Sequence, residues 1–182
     1  MNRPTETEYA TYFQNYVGQV SESDIMAVLR SEIDDLDVLL NRVPPEKEAW
    51  AYAEGKWTIR EVVGHLIDGE RVFGYRALCI ARGETQNLPG FEQDDYLRTA
   101  PYNHIELEDL LSELRLVRLS NIAMFRNLDE EAWNRVGIAN HSEVTVRALA
   151  FIMAGHLRHH MNVLRERYLS AEAESMGEGA SA

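Results

Sequence analysis

Apolar residues recur at spacings of three and four in four long stretches of the chain, the signature of amphipathic helices. The first covers 21–42, with Ile25, Val28, Leu29, Ile33, Leu36, Leu39 and Leu40 as its stripe. Ser21 is positioned as its N-cap, and Pro44-Pro45 stops it. The second covers 58–82, with Ile59, Val62, Val63, Leu66, Phe73, Ala77 and Ile80 on one side. Thr58 and Glu61 have the S/T-x-x-E spacing of a capping box, and Gly83 suits the position past the helix end. The third runs over 107–128 and the fourth from residue 142 or 143 to 169.

Between the second and third helices lies a loop of about twenty residues, 84–103, longer than most connections in a single domain. A short turn carrying Trp133 is expected at 129–135, and no stretch alternates as a strand would. Residues 1–20 read as an arm with a possible short helix, 21–170 as the helical domain and 171–182 as a small, acidic, disordered tail. Tyr9, Tyr12 and Tyr16 share one side of the arm and would suit an interface if exposed. The fold class predicted is all-α, a four-helix bundle with a long crossover between helices 2 and 3. Bundles build their sites from side chains that face inward.

Composition narrows the function. Lys plus Arg total 18 against 30 Asp plus Glu, a formal charge of -12. Only Lys47 and Lys56 are lysines, and no basic run offers phosphates a binding surface, which argues against nucleic acid as a partner. The longest apolar run, between Arg147 and Arg158, is too short to span a membrane, and the start of the chain lacks the apolar core of a signal peptide. The single cysteine, Cys79, excludes an intrachain disulfide and suits a reducing cytoplasm.

The sharpest chemical signal is Gly155-His156-Leu157-Arg158-His159-His160. His156 and His160 are four apart, so their Cβ atoms lie ~5–6 Å from each other on one helix face. At 100° per residue, Leu149, Ile152, His160 and Val163 all fall within about 40° of His156, so both rings sit in the apolar stripe. Buried imidazoles need partners, either ordinary hydrogen bonds or a metal shared between them. No Glu follows the first histidine, so this is not the H-E-x-x-H of zinc proteases. A third ligand could come from His65, His104, His141 or a carboxylate. His65 stands at the edge of the second helix's stripe, where either a ligand or a boundary residue fits. Gly64-His65-Leu66 and Gly155-His156-Leu157 both set glycine before histidine, as helices in close approach would require. Cys79 is fourteen residues beyond His65, about 21 Å along the helix, too far to share a metal with it, and reads as a buried structural thiol. Trp50, Trp57 and Trp133 read as core or staple residues.

Lys56-Trp57-Thr58-Ile59-Arg60-Glu61-Val62-Val63-Gly64-His65 resembles the first metal-ligand helix of the DinB/YfiT-like superfamily, and Ala154-Gly155-His156-Leu157-Arg158-His159-His160 resembles its last-helix ligand pair. The resemblance extends over about residues 20–170. It implies up-down-down-up topology, a homodimer, and a divalent metal on His65, His156 and His160 with open coordination positions. Zinc or nickel, or else iron or manganese, would suit such a site. Characterised relatives include bacillithiol S-transferases and mycothiol-dependent maleylpyruvate isomerases. The resemblance therefore implies a cytoplasmic transferase that joins a low-molecular-weight thiol to an electrophilic small molecule. A metal-dependent hydrolase and a non-catalytic metal-binding stress-response protein are the alternatives. Around the ligands, Glu61, Asp68 and His159 could orient a ring or lie on plain helix surface. Arg76, in nearly the angular direction of His65, could meet an anionic substrate or form an ordinary salt bridge.

Overall fold

A computed structural model describes residues 2–170; the tail expected at 171–182 lies outside them. Short 3-10 turns at Glu6–Glu8 and Thr11–Phe13 lead into helix α1, Gln14–Val17. The bundle helices are α2 (Ile25–Leu40), α3 (Ile59–Ala81), α5 (Leu107–Arg126) and α7 (Val146–Val163). Short helices α4 (Gln93–Thr99) and α6 (Glu130–Asn134) lie between them. Strands β1 (Val136–Ala139) and β2 (Ser142–Thr145) pair antiparallel just ahead of α7.

Contacts between helices fix the topology. Along α3 and α5, Arg60 meets Glu106, Arg71 meets Glu113 and Asn121 reaches Glu70, so the two run parallel. Arg115 reaches back to Asp34 and Asp37 while Arg118 meets Leu29, so α2 and α5 are antiparallel. His65 faces His156 and His160, while Phe73 also meets His156, so α3 and α7 are antiparallel. The order is up-down-down-up. Two consecutive parallel helices cannot be joined by a tight turn, which is why residues 82–106 are long.

The apolar core has two halves. One gathers Leu29, Phe73, Ile122 and Phe151; the other gathers Ile33, Leu66, Leu114 and Leu157. Between them lies a polar layer with one residue from each bundle helix: Glu32, Glu70, Arg118 and His156, all buried. Arg118 donates to Glu70 at 2.8 Å and to the Leu29 and Met153 carbonyls, and Glu32 lies 3.7 Å from it. Glu32 also accepts from Arg158 at 3.0 Å.

Several local expectations are corrected. The cap of α2 is Asp24, whose carboxylate accepts from the Ala27 amide, and not Ser21. The crossover is not plain loop, since α4 and a 3-10 turn at Tyr102–His104 break it up. The fourth bundle helix starts at Val146 because a hairpin occupies residues 136–145. Its two turn residues, Asn140 (φ 49°) and His141 (φ 61°), both have the positive φ of a type I′ turn. With four residues per strand and Val136 and Ile138 exposed, its pattern was too short to register as alternation. Cys79 is only half-buried. Of the three arm tyrosines, Tyr12 alone is well exposed; Tyr9 is buried and Tyr16 turns inward, so they do not form a shared exposed surface.

No helix among the described residues is long and apolar enough to cross a membrane.

Candidate metal centre

The capping box sets the register of α3. Thr58 Oγ1 accepts from the Glu61 amide at 3.1 Å, and Glu61 returns a carboxylate to the Thr58 amide at 2.8 Å. That start places His65 on the side facing α7. The N-cap of α7 is Thr145, whose hydroxyl accepts from the Ala148 amide at 3.0 Å. The two helices, antiparallel and in contact, bring His65 against His156 and His160.

Close approach to His156 and to the arm depends on glycine. A Cβ at Gly69 would stand 2.9 Å from His156 Cε1, so only glycine leaves that ring its place. A Cβ at Gly155 would overlap the backbone carbonyl of Tyr16, so the arm docks directly on α7.

The three histidines are buried, and their nearest ring nitrogens all lie within 4.8 Å of one another. His65 Nε2 and His156 Nε2 are 2.9 Å apart. Burial pushes the pKa of His65 down to about 4 and holds His156 and His160 well below the ordinary value, the neighbouring rings adding to the effect. At neutral pH all three are uncharged, with lone pairs to offer. Ligand atoms on one tetrahedral zinc are roughly 3.3 Å apart, which follows from bonds of ~2.0–2.1 Å. The cluster is within a small ring adjustment of that spacing, so these donors fit a divalent ion of borderline softness.

The sequence profile of the DinB superfamily matches residues 29–164. The chain belongs to the DinB superfamily. Among curated proteins it is 23% identical over 123 residues to one from Oceanobacillus iheyensis named "Putative metal-dependent hydrolase", a match covering 67% of this chain and 70% of that one. Among solved structures, YfiT from Bacillus subtilis, described as a probable metal-dependent hydrolase with an unusual four-helix bundle topology, superposes with a TM-score of 0.74 at 17% identity, covering 97% of this chain and 94% of YfiT. A mycothiol-dependent maleylpyruvate isomerase gives 0.65 at 11% identity, over 80% of this chain and 61% of that one. The DinB-like protein YjoA of Bacillus subtilis gives 0.57 at 21%, over 85% and 92%. At these identities the structural likenesses establish the fold.

Around the three histidines of this DinB-superfamily chain, the other candidates separate. His159 is half-buried, its ring 5.0 Å from that of His160 and 5.4 Å from that of Tyr16, so it borders the cluster. Glu61 is committed to the helix cap and to Asn103, which donates to it at 3.0 Å. Asp68 is raised in pKa by burial and faces the Tyr102 hydroxyl. Neither carboxylate reaches a histidine. His104 and His141 lie in the 3-10 turn and the hairpin turn, away from the site. Arg76 is buried on the same side of α3 as His65 and forms no salt bridge among the described residues.

Two aromatic lining residues and one more distant charge were not foreseen. Trp57, expected only as core or staple, packs its ring 4.8 Å from His65 and lies stacked 6.2 Å from His160. Its place just before the N-cap, two turns from His65, was the available signal. Tyr16 sets its ring edge-on 5.3 Å from His156. Asp94, on α4, projects a charge that opposes the burial effect on His65. Both come from outside the bundle helices, so helical spacing gave no hint of them. A groove of about 310 Å³ between α2 and α5 is lined by Asp37, Leu107 and Arg115, and none of the histidines lines it.

Proposed function

We propose that this protein is a divalent-metal-dependent enzyme in which His65, His156 and His160 hold the ion, and that it joins a low-molecular-weight thiol to an electrophilic small molecule. The observation that carries this reading is the convergence of three neutral, buried imidazoles from two helices on one point. Zinc and nickel match the all-nitrogen donor set best. When bound, the ion would carry its full +2 charge and lower the pKa of a thiol or water beside it.

The chain's own residues do the rest. Trp57 and Tyr16 wall the histidines with aromatic surface and exclude bulk water. Phe73 packs on the other side of His156. Among the described residues no carboxylate makes a hydrogen bond to the three histidines, and Asp94 acts on His65 through its charge alone, so no carboxylate is placed against them to take a proton from water during attack. A thiol, already much more acidic than water, needs that help least. This favours thiol transfer over hydrolysis, and the thiol-dependent isomerase with the same fold lends it support. Hydrolysis is the second reading, favoured by the names that two similar proteins carry.

The first test is elemental analysis of purified, untagged protein beside His160→Ala. About one equivalent of metal in the parent and none in the variant is expected, and metal-loaded parent should then conjugate a thiol to a small electrophile. Parent protein that takes up no zinc, nickel, iron or manganese would overturn the ligand assignment. Turnover of esters or amides without any thiol would replace transfer with hydrolysis. We further place the protein in the cytoplasm as a homodimer, joined through the exposed Tyr75 and Leu78 of α3 and Leu116 and Leu119 of α5. Light scattering should return twice the chain mass, and Leu116→Glu should halve it.

A further inference from the structure

Two arginines are buried among the described residues, and they are treated differently by the fold. Arg118 is matched by Glu32 and Glu70. Arg76, only 4% exposed, has no carboxylate partner among the described residues. Its one hydrogen bond there runs from Nη2 to the Pro89 carbonyl at 2.7 Å, and Nε has no acceptor at all. A buried charge without a counter-charge is strongly unfavourable. Burial accordingly pulls the pKa of Arg76 below its ordinary value.

The position of this cation is specific. Arg76 follows His65 by three helical turns, so it emerges from α3 in nearly the same direction. Its Cζ sits 5.9 Å from the centre of the Phe73 ring, and that ring is 5.7 Å from the ring of His156. One aromatic side chain therefore separates the guanidinium from the histidine cluster. Phe13, from the arm, closes edge-on against Phe73 at 6.0 Å. Pro89 is held in place because Leu88 bonds to the hairpin on both sides, its amide to the Ile138 carbonyl and its carbonyl to the Asn140 amide. The crossover and the hairpin thus build a seat for Arg76 that leaves Nε without an acceptor.

We propose that Arg76 is the recognition residue for the carboxylate of an organic substrate whose reactive end lies at the three histidines, with Phe73 and Phe13 holding the apolar segment between. This deepens the reading given above by naming the substrate class. Arginine presents a planar fork that pairs with both oxygens of a carboxylate. A single guanidinium with no lysine beside it matches a monoanion better than a phosphate dianion. The aromatic pair between the two ends calls for a spacer of several carbons or a ring.

The test uses 4-phenylbutyrate and its neutral amide, with calorimetry on full-length protein stripped of metal by a chelator, so that the carboxylate cannot bind an ion. Wild-type protein should bind the acid at least tenfold tighter than the amide. Arg76→Gln should lose at least tenfold in affinity for the acid and none for the amide, and Arg76→Lys should fall between. His160→Ala, in which the metal site is broken, should keep acid binding within about twofold. Equal binding of acid and amide, no binding by wild type, or an unchanged affinity in Arg76→Gln would overturn the proposal. Loss of acid binding in His160→Ala would assign the carboxylate to the histidines instead. Should Arg76→Gln fail to fold, the acid–amide comparison and Arg76→Lys still decide. Failure of the metal reading would appear in the elemental analysis and leave these affinities untouched.

Discussion

At Gly155, α7 passes beneath the arm so closely that a Cβ would overlap the Tyr16 carbonyl. Helix propensity alone would make Gly155→Ala stabilising by ~1 kcal/mol. Overpacking costs ~1–3 kcal/mol where the neighbour is backbone and cannot swing away. We expect urea unfolding to show a net loss of stability for Gly155→Ala; an equal or higher midpoint would mean that the arm rests loosely on α7. Glu32 is the other residue with a measurable signature. Burial outweighs the fields of Arg118 and Arg158 and raises its pKa from 4.5 to about 7. Between those values the folded state keeps a proton that the unfolded state has released, so stability falls as pH rises through the window. The loss is complete above pH 7 and absent below 4.5. Unfolding free energies at pH 4.5 and pH 8 should therefore drop more in the parent than in Glu32→Gln; matching drops would show that Glu32 titrates normally.

Among the elements, the bundle helices are tied together where their apolar stripes are interrupted. Each gives one polar residue to the layer of Glu32, Glu70, Arg118 and His156. Arg118 is its hub. Replacing it with Met leaves the buried Glu70 carboxylate without its counter-charge, with only Asn121 still donating to it, and breaking a buried ion pair in this way costs ~3–5 kcal/mol. Chemical denaturation of Arg118→Met should show a loss of that order, and a change below about 1 kcal/mol would place Glu70 in contact with water. The hairpin and crossover support one another through Leu88 and set the seat of Arg76. Both elements also add to the core, the crossover through Leu88 and the hairpin through Ala139 and Val144.

For the whole molecule, a metal held by His65 on α3 and His156 and His160 on α7 would staple two helices that already pack. Binding to the folded state alone stabilises by about 2.7 kcal/mol when free metal exceeds Kd a hundredfold. Adding a chelator should then lower the melting temperature of the parent by several degrees and leave His160→Ala unmoved. Equal response of the two proteins would point to metal bound elsewhere.

Much of this was legible in the sequence. The stripes of α2, α3, α5 and α7, the Thr58–Glu61 cap and the inward pair His156 and His160 follow from periodicity, because helical spacing alone decides which residues share a face. Glycine before His65 and before His156 signalled close approach, though the contacts differ: Tyr102 lies over Gly64 and the arm over Gly155. The third histidine was a choice among several, and only antiparallel packing of α3 on α7 brings the His65 and His156 nitrogens to 2.9 Å. Whether Arg76 has a counter-ion, and whether Trp57 and Tyr16 wall the site, depend on segments far apart in the chain. A single sequence records each helix's own face, whereas the pairing of faces between helices is settled only by the tertiary structure, which decides what each buried charge meets.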